Sequence, residues 1–212
     1  MRDFPFFSTE NGVASLFLKE VPYSGRAYIR LQDASDPDAL IKECLDFCRA
    51  VEAKEVFATG HESVTKYPLF TKIIEMCCAR ESLPDTDAAL FPVQKQTLSE
   101  WRELYNDKML GIDGASYMTI RDAEKLLING GGYFVHRNDV LLGIGIASGE
   151  RIEAIAANAT GFGKDTLLAL VHALSSDRVS LEVASTNERA MNFYIKMGFL
   201  PVRDVATWYK IF

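Results

Sequence analysis

Residues Leu181–Phe199 read LEVASTNERAMNFYIKMGF. The opening part belongs to RVSLEVAS (178–185), a short apolar run with the character of a strand. Asn187 then offers a side-chain oxygen to the free N–H groups of a helix start. Ala190, Phe193 and Met197 recur at i, i+3 and i+7, so one helix face is apolar. Gly198 suits the left-handed position just past a helix end. Tyr194 falls at the edge of that stripe, beside Phe193. A half-buried tyrosine there needs either a hydrogen-bond partner or a task.

Just upstream the chain reads AIAANATGFGKD. The run ERIEAIAA (150–157) is strand-like, and GFGKDTLLALVHAL (161–174) is helical. Between them lie Gly161 and Gly163. Glycines at such a turn let the backbone approach a ligand closely. The helix start adds unpaired N–H groups and the positive dipole end, which together suit phosphate or pyrophosphate. A tight strand-to-helix turn with no ligand explains the glycines as well. A Walker A loop is excluded twice, because its first glycine would be Asn158 and its serine or threonine would be Asp165. A dinucleotide fingerprint needs a third glycine, and Thr166 stands there.

The surrounding elements predict an α/β chain with mixed sheets and two related halves, 1–94 and 95–212. The first half reads as a hairpin (Gly12–Val21 with Gly25–Asp33), a helix (DPDALIKECLDFCRAVEA), a strand (Glu55–Gly60), a second helix (Tyr67–Arg80) and a closing strand (Ala88–Gln94). In the second half two helices lead, TLSEWRELYNDKML and TIRDAEKLLING, the latter with a capping-box start at Thr119. A hairpin turning at Arg137–Asp139 follows, then strand, helix, strand, helix and closing strands from Phe199 on. The pair LFPV and FLPV ends the two halves. Where the second half has its glycine loop, the first has ASDPDA.

The second half resembles the GNAT superfamily of acyl-CoA-dependent N-acetyltransferases. Leu181, Val183, Asn187, Ala190, Tyr194, Lys196, Gly198 and Phe199 all fall on that family's fifth-strand and fourth-helix pattern. Its phosphate loop, Gln/Arg-x-x-Gly-x-Gly/Ala, is matched by Asn158-Ala-Thr-Gly161-Phe-Gly163 in the glycines but not in the leading residue. The resemblance implies a GNAT fold, preceded here by a truncated, degenerate copy. It implies acetyl-CoA as cosubstrate, held by Asn158, Thr160, Gly161, Phe162, Gly163 and Lys164, with Ile155, Ala156 and Ala157 on the neighbouring strand and Asn187 at the next helix. It implies Tyr194 as the acid that protonates the leaving thiolate. A backbone N–H near Ile155–Ala157 would meet the oxyanion. Glu153 and Glu182 are the candidate bases, though each is equally readable as a solvated strand carboxylate. Acceptor choice would fall to LGIDGASYM (110–118) and to Trp208 and Tyr209. Asp113 would attract an amine or simply make a turn.

The 212 residues are 48% apolar, enough for packed cores. The net charge of −6, with no basic run, argues against a nucleic-acid partner. No apolar window is long enough to cross a membrane, and the N-terminus lacks a signal-peptide core, so a cytoplasmic protein is expected. Cys44, Cys48, Cys77 and Cys78 lack metal-ligand spacing and read as buried thiols. No metal is expected, and His136 and His172 read as structural. The partner is then a small-molecule or peptide amine, and a homodimer is compatible with this reading. The alternatives are a non-catalytic acyl-CoA-binding or regulatory protein on the same fold, and a nucleotide binder.

Overall fold

Asp36 starts the first long helix, its carboxylate accepting a 3.0 Å bond from the Ala39 N–H, with Pro37 in the first turn where no N–H is needed. In the computed structural model, which describes residues 6–212, this helix buries Leu40, Ile41, Cys44 and Cys48 against a sheet. The chain divides into two units: one runs to Ile73 and regains Asp204–Phe212, and the other is Ile74–Arg203.

In the first unit, β1 (Phe6–Thr9), β2 (Gly12–Phe17) and β3 (Arg26–Ala34) are antiparallel neighbours. A one-turn helix, α1 (Val21–Ser24), occupies the expected PYSG turn. Helix α2 (Pro37–Ala50) crosses over so that β4 (Glu55–Thr59) lies parallel to β3. Alternate residues Ala27, Ile29, Leu31, Val56 and Ala58 face α2 and complete its core. The C-terminal part of β11 (Leu200–Lys210) pairs antiparallel with β4, Tyr209 opposite Ala58.

One reading of the first half is corrected by the structure. The segment Tyr67–Arg80 is not a helix but an eleven-residue strand, β5 (Leu69–Ala79). Its apolar residues satisfy a helical period, yet Ile74, Met76 and Cys78 contact one core while Thr71 and Glu75 are buried too. A strand buried on both sides shows no clean alternation, and its β-branched Thr71, Ile73 and Ile74 favour the extended form. A 3₁₀ turn, Glu62–Lys66, stands where the second half has its last helix. The expected closing strand is β6 (Ala89–Pro92), and it pairs with β7 (Gly132–Arg137) of the second unit. The two compact units divide at Ile73 and Arg203. What both share is a hairpin, a helix and a strand parallel to the hairpin's second strand: β2-β3-α2-β4 in the first, and β8 (Val140–Ser148), β9 (Arg151–Ala157), α5 (Gly163–His172) and β10 (Arg178–Ala184) in the second.

In the second unit, β7 and β8 (Val140–Ser148) form the expected hairpin, with Asn138 and Asp139 at φ 48° and 64° in its turn. β9 (Arg151–Ala157) adds antiparallel, and β10 (Arg178–Ala184) lies parallel to it beyond α5 (Gly163–His172). Helices α5 and α6 (Glu188–Lys196) share a core with Val135, Ile152, Leu181 and Val183. Helices α3 (Leu98–Met109) and α4 (Ile120–Asn129) share another with Phe134, Ile144, Ala154 and Ala156. Thr119 and Asp122 form the predicted capping box. The closing strands predicted after Phe199 are one continuous strand, β11.

Candidate functional site

Strands β9 and β10 are each seven residues long, yet they pair only at Ser180–Arg151 and Leu181–Ile152. Beyond those pairs β9 stays on β8. A register shift between Ile146 and Ala147 leaves Glu153 as the extra residue of a bulge, which adds local twist. The Asn158 N–H donates to the Leu142 carbonyl at 2.8 Å. Strand alternation then directs the N–H groups of Ile155 and Ala157 away from β8, to the side where pairing with β10 has stopped. Both strands end at this opening, and the N-termini of α5 and α6 follow directly after them, a crevice of the kind that binds ligands in α/β sheets.

The loop into α5 runs through Asn158, Ala159 and Thr160, all exposed, to Gly161 at φ 96°. That backbone angle demands glycine, although a Cβ there would meet nothing within 4 Å. The residue preceding α5, Phe162, makes no side-chain cap. Among the described residues the first-turn N–H groups, Gly163 to Asp165, therefore have no capping oxygen, and they point to the loop's open side. Lys164 is exposed in that turn, and the Lys108 ammonium donates to the Asn158 carbonyl at 3.3 Å. Asp165 would repel an anion, but the Arg137 guanidinium lies 2.7 Å from it. Residues Asn158, Thr160, Gly161, Phe162, Gly163 and Lys164 thus form one loop with the chemistry for an anionic ligand.

What holds α5 against the sheet was missed in the sequence. A Cβ on Gly143 would fall 2.7 Å from the Thr166 side chain, and one on Gly145 would fall 2.3 Å from Leu170. The Gly-Ile-Gly run in β8 therefore lets α5 approach its backbone. Thr166, fully buried, donates its hydroxyl to the Phe162 carbonyl at 2.8 Å. A Gly-x-Gly inside a strand was the available signal.

The α6 side corrects one expectation. Tyr194 is not at the edge of the helix's apolar face but is its single fully buried residue, while Ala190, Phe193 and Met197 are half-buried around it. Its ring packs on Phe193 and Phe199, with centroids 5.4 and 5.8 Å away. Burial pushes the phenol up to about 12, so the hydroxyl keeps its proton throughout the neutral range. Asn187 caps α6 through the Ala190 N–H at 3.2 Å, as read from the sequence. A Cβ on Gly163 would lie 3.8 Å from the Phe193 ring, so the body of α6 packs beside the start of α5.

The two candidate bases are placed differently. Glu182 is held by Arg151 at 2.9 Å. Glu153 is exposed, with the Ser148 hydroxyl 3.4 Å away. Among the described residues no contact joins either carboxylate to Tyr194. Asp113, read as an amine attractor, accepts a 2.8 Å bond from the Thr186 hydroxyl. Among the described residues no group of three or more His, Cys, Asp or Glu is arranged to hold a metal, and no helix is long and apolar enough to cross a membrane.

The sequence matches no protein-family model and no curated protein. Solved structures do match. A Pyrococcus horikoshii protein named for an inferred acetyltransferase activity aligns at TM-score 0.61 and 14% identity, over 94% of this chain and 69% of that one. A conserved Staphylococcus epidermidis protein of unknown function aligns at 0.58 and 10%, over 98% and 93%. A GCN5-related N-acetyltransferase from Kribbella flavida aligns at 0.51 and 14%, over 99% and 89%. At such identities the relation is one of architecture, and the chain has a fold that it shares with GCN5-related N-acetyltransferases.

Proposed function

We propose that this protein is an acetyl-CoA-dependent N-acetyltransferase that moves an acetyl group to a primary amine by direct attack. The observation that carries this reading is the parting of β9 and β10 beside the uncapped start of α5. It sets unpaired N–H groups of one strand next to a loop suited to pyrophosphate. Acetyl-CoA supplies the thioester, the activated acyl group. The backbone amides of Gly163, Lys164 and Asp165 would hold its pyrophosphate, with Lys164 and Lys108 adding charge. The N–H groups of Ile155 and Ala157 would stabilise negative charge on the acyl oxygen in the transition state. Tyr194, protonated at neutral pH, would give its proton to the departing sulfur. With Glu182 paired and Glu153 exposed, the amine would lose its proton to water rather than to either carboxylate. The hairpin–helix–strand unit common to both halves supports reading the first as a shortened copy of the same fold.

Calorimetry with acetyl-CoA, run beside free-thiol release over a panel of small amines, amino acids, polyamines and peptides, tests the proposal. Binding together with thiol release on one of these acceptors is expected. The absence of a presented base favours a second reading, an acyl-CoA-binding protein without turnover. Binding with no thiol release on any amine would select that reading. Binding of NAD but not of acetyl-CoA would reject both.

A further inference from the structure

At the far end of α5 from the glycine loop, a cavity of about 630 Å³ lies between the helix and the segment joining β5 to β6. That volume is in the range of small-molecule sites. The segment arches over the helix because it is fastened at both ends. At one end the Arg80 N–H donates to the Asp177 carbonyl and its guanidinium to the Leu174 carbonyl, both at 2.7 Å. At the other, the Thr86 hydroxyl donates to Asp165 at 3.4 Å, and Asp87 pairs with Arg137 at 2.6 Å. The arch is thus held in place with a space beneath it.

The lining has two parts. Leu168 and Val171, at 2% and 4% exposure, form the apolar wall on α5, and Leu83 and Pro84 face them from the arch. The lining also includes three exposed acidic residues, Glu81, Asp85 and Asp177, with His172 Nε2 3.3 Å from Asp85. Among the described residues Arg80 is the one arginine or lysine of the lining, and its guanidinium donates to the Leu174 carbonyl just past the C-terminal end of α5. The helix end itself presents carbonyl groups and the negative end of its dipole. Negative potential from these groups and the aliphatic wall together define a complementary ligand.

We infer that this cavity binds a small organic cation with an apolar body. The inference rests on the cavity alone and holds whether or not the protein transfers acetyl groups. The test is an amide NMR titration of the whole chain with 2-phenylethylamine, and with 3-phenylpropionate as an anion of similar body. The amine is expected to shift amides of Arg80–Asp85 and Leu168–Asp177 saturably, with a Kd of about 1 mM, the level of a small fragment. The shifts should weaken with added salt. The double variant Glu81→Gln, Asp177→Asn should weaken the amine about tenfold while keeping the parental spectrum elsewhere. Equal binding of the acid, shifts confined to Asn158–Lys164, or no saturable shift at all would overturn the assignment. If the double variant fails to fold, the comparison of amine and acid on the parent decides.

Discussion

The Thr186 hydroxyl donates a 2.8 Å hydrogen bond to the Asp113 carboxylate, and Lys108, five positions before Asp113, reaches the Asn158 carbonyl. The segment from Lys108 to Asp113 is thereby tied to both strand ends that frame the β9–β10 opening. Thr186→Val removes the Asp113 tie and keeps the side-chain volume. Amide hydrogen exchange across 109–115 should rise several-fold with the melting temperature of the protein unchanged. Unchanged exchange would mean that the loop is held by its other contacts, chiefly the paired bonds of Asn106 with Met118.

Gly161→Ala separates strain from obstruction. The added Cβ has open space, so the cost comes from φ 96°, about 1 kcal/mol for an L-residue. The loop should shift towards φ below zero and turn its amides away. Calorimetry should show weaker acetyl-CoA binding with only a small change in thermal stability. Binding equal to the parent would remove Gly161 from the site.

Tyr194→Phe tests the acid. The ring contacts with Phe193 and Phe199 survive, and no hydrogen bond to the hydroxyl is present among the described residues. Stability should match the parent. Turnover should fall about 10²–10⁴-fold, the worth of a positioned acid, with acetyl-CoA affinity little changed. A variant as active as the parent would assign Tyr194 to packing alone.

Burial raises several neutral acids together. Tyr194 rises from 10 to about 12, Cys44 from 9 to about 12, and Cys48 and Cys78 from 9 to about 11. A raised value means that the folded state holds its proton longer than the unfolded chain does. Stability from these groups is therefore complete below about pH 9 and is lost as pH rises towards 12. Chemical denaturation at a series of alkaline pH values should show that decline. A thiol reagent should modify Cys77 in the native protein and the other three only on unfolding.

The acid side has its own marker. Arg203, 2.6 Å from Glu75, holds that carboxyl below the usual range, and nearby Arg151 adds to the effect. A lowered value contributes stability that is complete above the ordinary carboxylate range and is lost as pH falls from that range through the lowered folded-state value. Glu75→Gln should flatten the acid limb of the stability–pH profile. An acid limb identical to the parent's would move its origin to other carboxylates, such as Glu55 with Lys210.

Much of the architecture was legible because the signals were local. The Asn187 and Thr119 caps, the Arg137–Asp139 turn and helix α2 each depend on a few neighbouring residues, and each forms as read. The glycine turn between β9 and α5 was likewise legible as a turn, with Gly161 at φ 96°. The segment 67–80 was not, because its apolar residues satisfy a helical period and a doubly buried strand alike. Only the strands available to pair with it discriminate between the two. The role of Gly143 and Gly145 was hidden for the same reason, since it depends on a helix more than twenty positions away.

The sequence by itself determined most local elements, β5 excepted, and the residue types at the β9–α5 loop and along α6. Those follow from propensity, capping and backbone angle, which act over a few bonds. The tertiary structure alone decided that β5 and β11 each begin in one unit and end in the other. It alone decided that β9 and β10 part after two pairs, that Arg151 holds Glu182, and that Tyr194 lies at the centre of its helix's buried face. Each of these is fixed by strand partners and side-chain contacts distant in the chain, whose free energy appears only when the remote segments meet.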